Sequence, residues 1–268
     1  MKTSAPVRIT LRTVALLYLL VLLVVPIGVI LWRSFERGIG AFFESISTPA
    51  AISAVNLSLL IVAIVVPINV VFGLAVALAL ARRDFPGKRI MQAVVDLPFA
   101  VSPIVVGVSL ILLWGAGGWF GAIENLGIRV IFGLPGMVLA TIFVTLPFVV
   151  REVEPVLHEV GIEQEQAAAT LGASPWQTFV KITLPSIRWG LIYGIILTIA
   201  RSLGEFGAVI MVSSGFPGVS QTLTLLVHAR YIDDHNTFGA YCAATLLMAI
   251  AVIALLSMTL LDRKRSTT

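Results

Sequence analysis

Apolar residues run through this chain in long stretches broken by short polar gaps. An uncharged run covers 13–32, and further apolar runs cover about 56–81, 91–115, 137–150, 187–213 and 238–261. A helix crosses the hydrocarbon core of a bilayer in roughly 20 residues, and most of these runs reach that length. They are uniformly apolar, whereas strands of a transmembrane barrel alternate apolar and polar positions. The pattern predicts an all-α integral membrane protein with six transmembrane helices.

The gaps add detail. Residues 36–49 form a mixed polar connection with Arg37, Gly38, Gly40 and Glu44, and 82–90 is a short basic loop with Arg82, Arg83, Lys88 and Arg89. The glycine-rich stretch 115–136 carries Trp119, Glu124 and Arg129, which predicts an interfacial loop or half-helix rather than a span. The fourth run is expected to continue as helix toward Glu159, carrying Arg151, Glu152, Glu154 and His158 into water, and 214–236 reads as a long loop. Pro67 and Asn69 fall inside the second run, where neighbouring helices or water satisfy the freed backbone groups, and Pro98, Pro103, Pro135 and Pro147 read either as kinks that shape a path or as packing features. The first run follows Lys2, Arg8 and Arg12. It is too long for a secretory h-region and lacks a small-residue cleavage site near Trp32, so it is expected to stay as the first span. The chain divides into 1–55, holding the tail, first span and external connection, and a core of five spans over 56–268.

Composition agrees, with 58% hydrophobic and 12% charged residues against about 25% charged in soluble domains. The net charge of +4 is explained by basic residues flanking spans rather than by a nucleic-acid partner. With a cytoplasmic N-terminus, thirteen Lys and Arg fall inside: Lys2, Arg8, Arg12, Arg82, Arg83, Lys88, Arg89, Arg151, Lys181, Arg188, Arg263, Lys264 and Arg265. Four fall outside: Arg33, Arg37, Arg129 and Arg230. The positive-inside rule therefore places both termini and the polar insert after the fourth span in the cytoplasm. The single Cys242 excludes an internal disulfide and reads as a small packing residue. No loop is long enough for a soluble domain, and no GxxxxGK[ST] phosphate loop occurs.

The insert reads EQEQAAATLGASPWQTFVKITLPSIRWGL from Glu163 to Leu191. Ala167, Ala168 and Ala169 allow close approach, Gly172 permits a tight turn, and Ser174-Pro175 has the form of an N-cap followed by proline at the first helical position. Spaced along it are Gln166-Ala167-Ala168, Gly172 after three residues, and Ile182-Thr183-Leu184-Pro185 after nine more. The spacing resembles the E-A-A signature loop of ABC-importer permeases, with Gln166 where the family has an acid and Glu165 and Glu163 beside it. An ordinary amphipathic surface helix is the alternative. The stretch RWGLIYGIILTIARSLGEFGAV (Arg188 to Val209) and DLPFAVSPIVVG (Asp96 to Gly107) are similar to the sulfate and molybdate permeases, and the chain from about residue 56 onward most resembles the W-type subunits of sulfate/thiosulfate importers.

That resemblance implies an importer permease fold with cytoplasmic coupling helices at about 159–186, in a bacterial-type inner membrane. Glu165, Gln166, Ala167, Ala168, Gly172, Ile182, Leu184 and Pro185 would form the ATPase-coupling loop. It also implies a second permease of the T type, an ATPase dimer on the cytoplasmic side and an external sulfate-binding protein. ATP and Mg would be used by the partner ATPase; no cofactor or metal is expected on this chain and no covalent catalysis. A molybdate or tungstate permease is the nearest rival. An ion-driven transporter using Asp96, Arg201 and Glu205 is the rival from another class, and a membrane sensor is a third.

Arg201 and Glu205 are the charges deep in the fifth run, and their four-residue spacing puts them on one helix face. Charges at that depth face a bundle interior or a water-filled path. Two readings stand: an attractor for a dianion with its counter-charge, or a buried pair that fixes packing. His228, Asp233, Asp234 and His235 lack the regular spacing of metal ligands and read as a solvated docking surface.

Overall fold

The computed structural model describes residues 5–265. The first span consists of α1 (Ala5–Leu19) and α2 (Val25–Phe35), joined by a wide π turn at Leu20–Val24. Pro26, just inside α2, has no N–H to give to the preceding turn, and the widened turn accommodates that loss. After α3 (Ile39–Ile46) comes α4 (Pro49–Arg82), whose first turn is capped by the Thr48 hydroxyl accepting from Ala51 N at 3.3 Å. The helix carrying the second span therefore begins at Pro49 rather than near Asn56. At 34 residues and 1.5 Å per residue, α4 is about 51 Å long, well beyond a hydrocarbon core of about 30 Å.

The third apolar run is not one straight helix. It folds as α5 (Lys88–Ala100) and α6 (Pro103–Trp114), bent by 111°. Pro103 drives the residue before it out of the helical region, and Ser102 is extended at ψ 134. A 3-10 turn follows at Gly121–Leu126, and α7 (Leu134–Val160) then runs unbroken through Pro147 and Pro155. The insert forms α8 (Glu163–Thr170), α9 (Pro175–Thr178), a π turn at Phe179–Thr183 and α10 (Leu184–Ser186). It meets α11 (Arg188–Leu203) at a bend of 70°. The fifth run is interrupted at Gly204–Phe206 before α12 (Gly207–Val212). The stretch expected as a long loop contains α13 (Leu223–His228) and a π turn at Ala229–Asp233, and α14 (Thr237–Arg265) closes the described chain. Among the described residues, four helical stretches are long and apolar enough to cross a membrane, or up to six if each bent pair is one crossing.

The core lies where α4, α11 and α12 pack against α7. Ile61, Val65, Met137, Val144, Val209 and Val212 form one buried cluster, and Ala77, Leu80, Val149, Val153, Leu157 and Ile187 another toward the insert. Lipid is as apolar as these side chains, so close packing and interhelical hydrogen bonds hold such helices together. A Cβ at Gly73 would lie 2.8 Å from Val149 Cβ, and one at Gly194 would lie 2.9 Å from Val149 Cα; glycine lets both helices close on α7. Asn69 donates to the Thr145 hydroxyl at 2.7 Å, and Thr145 in turn donates to Thr141 O at 2.6 Å. The first span joins this body through α2 and α14, where the Ser34 and Thr245 hydroxyls lie 2.6 Å apart beside buried Cys242. From Val7 onward the apolar side chains of α1 are exposed.

Candidate functional site

The insert is shaped by its local sequence. Gly161, at φ 71, ends α7. Glu163 and Glu165 sit in the first turn of α8, where acids complement the helix dipole, and the alanines 167–169 are strong helix formers. Gly172 stops α8 at φ 84; its N–H bonds Ala169 O at 3.0 Å and Ala173 N bonds Ala168 O at 3.0 Å. This pair of bonds is the left-handed glycine cap that the turn requires. The Ser174 hydroxyl then accepts from Gln177 N at 3.3 Å while the Gln177 side chain accepts from Ser174 N at 2.9 Å, with Pro175 at the first position. The cap read from Ser174-Pro175 is thus a full capping box. A π turn again precedes a proline, Pro185.

Two short helical pieces result, joined at a glycine corner. Gln166 and Ala167 are exposed and Ala168 is buried, while Ile182 and Leu184 are half-buried and Pro185 is exposed. At the corner stand Leu171, 88% exposed, and Trp176, 71% exposed, with the Trp176 ring 5.7 Å from Phe179. These are large apolar groups on a polar, otherwise water-suited segment, the composition of a surface that another protein covers.

The acid next to the motif is held inside the chain. Glu165 Oε1 accepts from Arg82 Nη2 at 3.0 Å, from Arg82 Nε at 3.3 Å and from the Thr183 hydroxyl at 2.9 Å. Arg82 Nη1 donates to Leu157 O at 2.8 Å. One guanidinium therefore touches α8, the C-terminal part of α7 and, through its own backbone, the end of α4. The sequence reading missed Arg82 and Thr183 as partners. Arg82 counted there as an orientation charge, Thr183 falls at an unrestricted position of the motif, and the pairing with Arg82 spans 83 positions.

Arg201 and Glu205 pair, Nη2 to Oε2 at 2.8 Å. The Glu205 side chain is 1% exposed and its other oxygen accepts from Ala208 N at 2.8 Å, at the start of α12. Glu205 thus bridges the break between α11 and α12, with Thr224 from α13 donating to its backbone carbonyl at 2.8 Å. Arg201 is 34% exposed, so its charge alone keeps a face open. The apolar cleft of about 580 Å³ nearby is lined by Ala200, Gly204, Phe206, Leu247 and Met248 among others, with no acid and no arginine.

Asp96 faces Arg151, at 2.7 Å to Nη2, and Arg151 also lies over the Phe99 ring. Arg230 is buried, and its hydrogen bonds go to hydroxyl and backbone oxygens. It donates to Ser45 O at 3.0 Å, Thr48 Oγ1 at 2.9 Å and Gly239 O at 3.0 Å, and burial pushes its pKa below the usual arginine value. This junction of α3, α4 and α14 had no signal in the sequence beyond a loop arginine. His228 stacks at 5.3 Å from Phe206, while Asp233, Asp234 and His235 are exposed. Among the described residues no group of three or more His, Cys, Asp or Glu could hold a metal ion.

Comparison with known proteins agrees with this geometry. The sulfate transport system permease protein CysW of Synechococcus elongatus is 45% identical over 252 residues, covering 94% of this chain and 88% of its own length. The sulfate transport system permease protein CysT of Synechocystis sp. is 36% identical, covering 93% and 87%. A bacterial alginate ABC transporter, solved in complex with an alginate pentasaccharide-bound periplasmic protein, has a chain matching at TM-score 0.81 and 16% identity over 98% of this chain and 96% of that one; at that identity it speaks to the fold alone. The model of the family described as binding-protein-dependent transport system inner membrane component matches residues 69–267. With that match and those relatives, the chain belongs to this family: it is a multi-pass inner-membrane permease of the ABC-importer type.

Proposed function

We propose that the chain is one permease subunit of an ATP-driven importer of sulfate or thiosulfate. The carrying observation is the loop over 166–185, whose motif spacing, glycine corner and bare Leu171 and Trp176 suit it to the groove of a separate ATPase. The cargo follows from relatives named for sulfate transport. Because the CysW-type relative is more similar than the CysT-type one, 45% against 36%, the second permease is a T-type chain rather than another copy. An external binding protein delivers the anion. A pair of ATPases using ATP and Mg closes on the loops, and the two permeases alternate between outward and inward access. On this reading the loop and both termini are cytoplasmic. The Glu165 to Pro185 positions couple ATP to movement and no covalent chemistry occurs here.

Labelled-sulfate uptake is measured in cells lacking the chain and again after it is restored, with molybdate as competitor. Uptake that returns and resists a modest excess of molybdate supports the reading. Uptake that molybdate readily blocks moves the chain to molybdate or tungstate, and uptake indifferent to the chain overturns it.

A further inference from the structure

We propose that Arg82 and Glu165 form a clamp that carries movement of the coupling loop to α4 and α7, so that they are positioning residues for transport. The inference rests on the coupling role given to the loop above. Covalently, the loop joins only α7, through Gly161, and α11, through Ile187. A push on α8 from a docked partner would reach α4 only through side chains.

The geometry supplies that link. α4 is long enough to leave the membrane on the loop's side, and its last residue, Arg82, is where Glu165 sits. The pair is largely shielded from water, with Arg82 14% and Glu165 24% exposed, so salt and solvent screen it less than an open surface pair. Arg82 presents a planar fork. Nη2 and Nε hold Glu165 Oε1, and Nη1 holds Leu157 O on α7. The same Glu165 oxygen takes the Thr183 hydroxyl, which ties the second half of the loop to the first. Among the described residues, Glu165 is the side chain through which α8 hydrogen-bonds to a span. Four elements thus share one small polar centre: α4, α7, α8 and the π turn before α10. Lysine cannot reproduce this, because a single ammonium lacks the fork that meets Glu165 and Leu157 O together. The motif's own position 166 is exposed and free to face a partner, while the acid one residue earlier faces inward.

The test uses the complete complex in vesicles, reading ATP hydrolysed per sulfate imported, ATPase co-purification and a distance. Arg82→Gln and Glu165→Gln are expected to keep the ATPase bound, to lower uptake about tenfold and to raise the ATP-to-sulfate ratio severalfold. The exchange Arg82→Glu with Glu165→Arg restores the α4-to-α8 pair but not the bond to Leu157 O, and should recover part of the ratio; it also serves if a single variant accumulates poorly. Spin labels at the exposed positions Gln164→Cys and Arg83→Cys read the α8-to-α4 distance without reference to cargo. That distance should stay fixed on ATP binding with the clamp intact and should shift or broaden in Arg82→Gln. Wild-type coupling in both single variants, loss of ATPase binding, or an unchanged distance in Arg82→Gln would each overturn the clamp. Absence of sulfate uptake by the unaltered complex, with the label result as expected, would instead overturn the cargo and leave the clamp standing.

Discussion

Gly172 shows how one backbone angle shapes the loop over 166–185. At φ 84 it takes a conformation that L side chains rarely adopt, yet nothing lies within 4 Å of where a Cβ would stand. A substitution there meets strain rather than collision, about 1–2 kcal/mol for the left-handed backbone, which is local. Gly172→Asp is therefore expected to reach the membrane in normal amount while uptake falls more than tenfold, because a charge then sits beside Leu171 and Trp176. Normal uptake with normal ATPase co-purification would contradict the coupling role. The same loop shows what sequence reveals at this scale. Gly172, Ser174 and Pro175 were legible because caps and turns are dictated by adjacent residues. The bonds from Glu165 to Arg82 and Thr183 were not, because they depend on how α4 meets the insert.

Between elements, buried polar groups act as joints. Glu205 both neutralises Arg201 and caps α12, so Glu205→Ala leaves a half-buried cation unpaired and a helix uncapped. Solvent screens the exposed part of Arg201, so the loss of pair and cap together is expected at about 1–3 kcal/mol; the unfolding midpoint of the purified chain should fall. Arg201→Met with Glu205→Gln removes the cation and keeps a cap acceptor, and should return most of that stability. A double variant no better than Glu205→Ala would show that the pair is not the source. Arg230 is a second joint, linking Ser45, Thr48 and Gly239. Arg230→Lys should lower stability by about 1–3 kcal/mol, since one ammonium leaves buried acceptors unmet, and an unchanged midpoint would contradict that. Apolar periodicity located the helices but not their breaks. The Val101–Ser102 bend follows from Pro103 and could be anticipated; the break at Gly204–Phe206 could not, because it is set by Glu205 reaching Ala208 N and by α13 packing below it.

For the whole molecule, α4 and α11 pack closely on α7, and Arg82 and Glu165 tie the insert to one end of that core. Such a core suits a machine in which a soluble ATPase pushes and a membrane path tilts. Asp96 and Glu205, the carboxylates an ion-driven transporter would call on, each pair with an arginine. The most direct test is sulfate uptake by vesicles containing the purified complex of this chain, the T-type partner proposed for it and the ATPases, with the external binding protein supplied. Uptake should require ATP, persist when ion gradients are collapsed, and fall more than tenfold with Gly172→Asp. Uptake driven by an ion gradient without ATP, or unaffected by Gly172→Asp, would contradict the account.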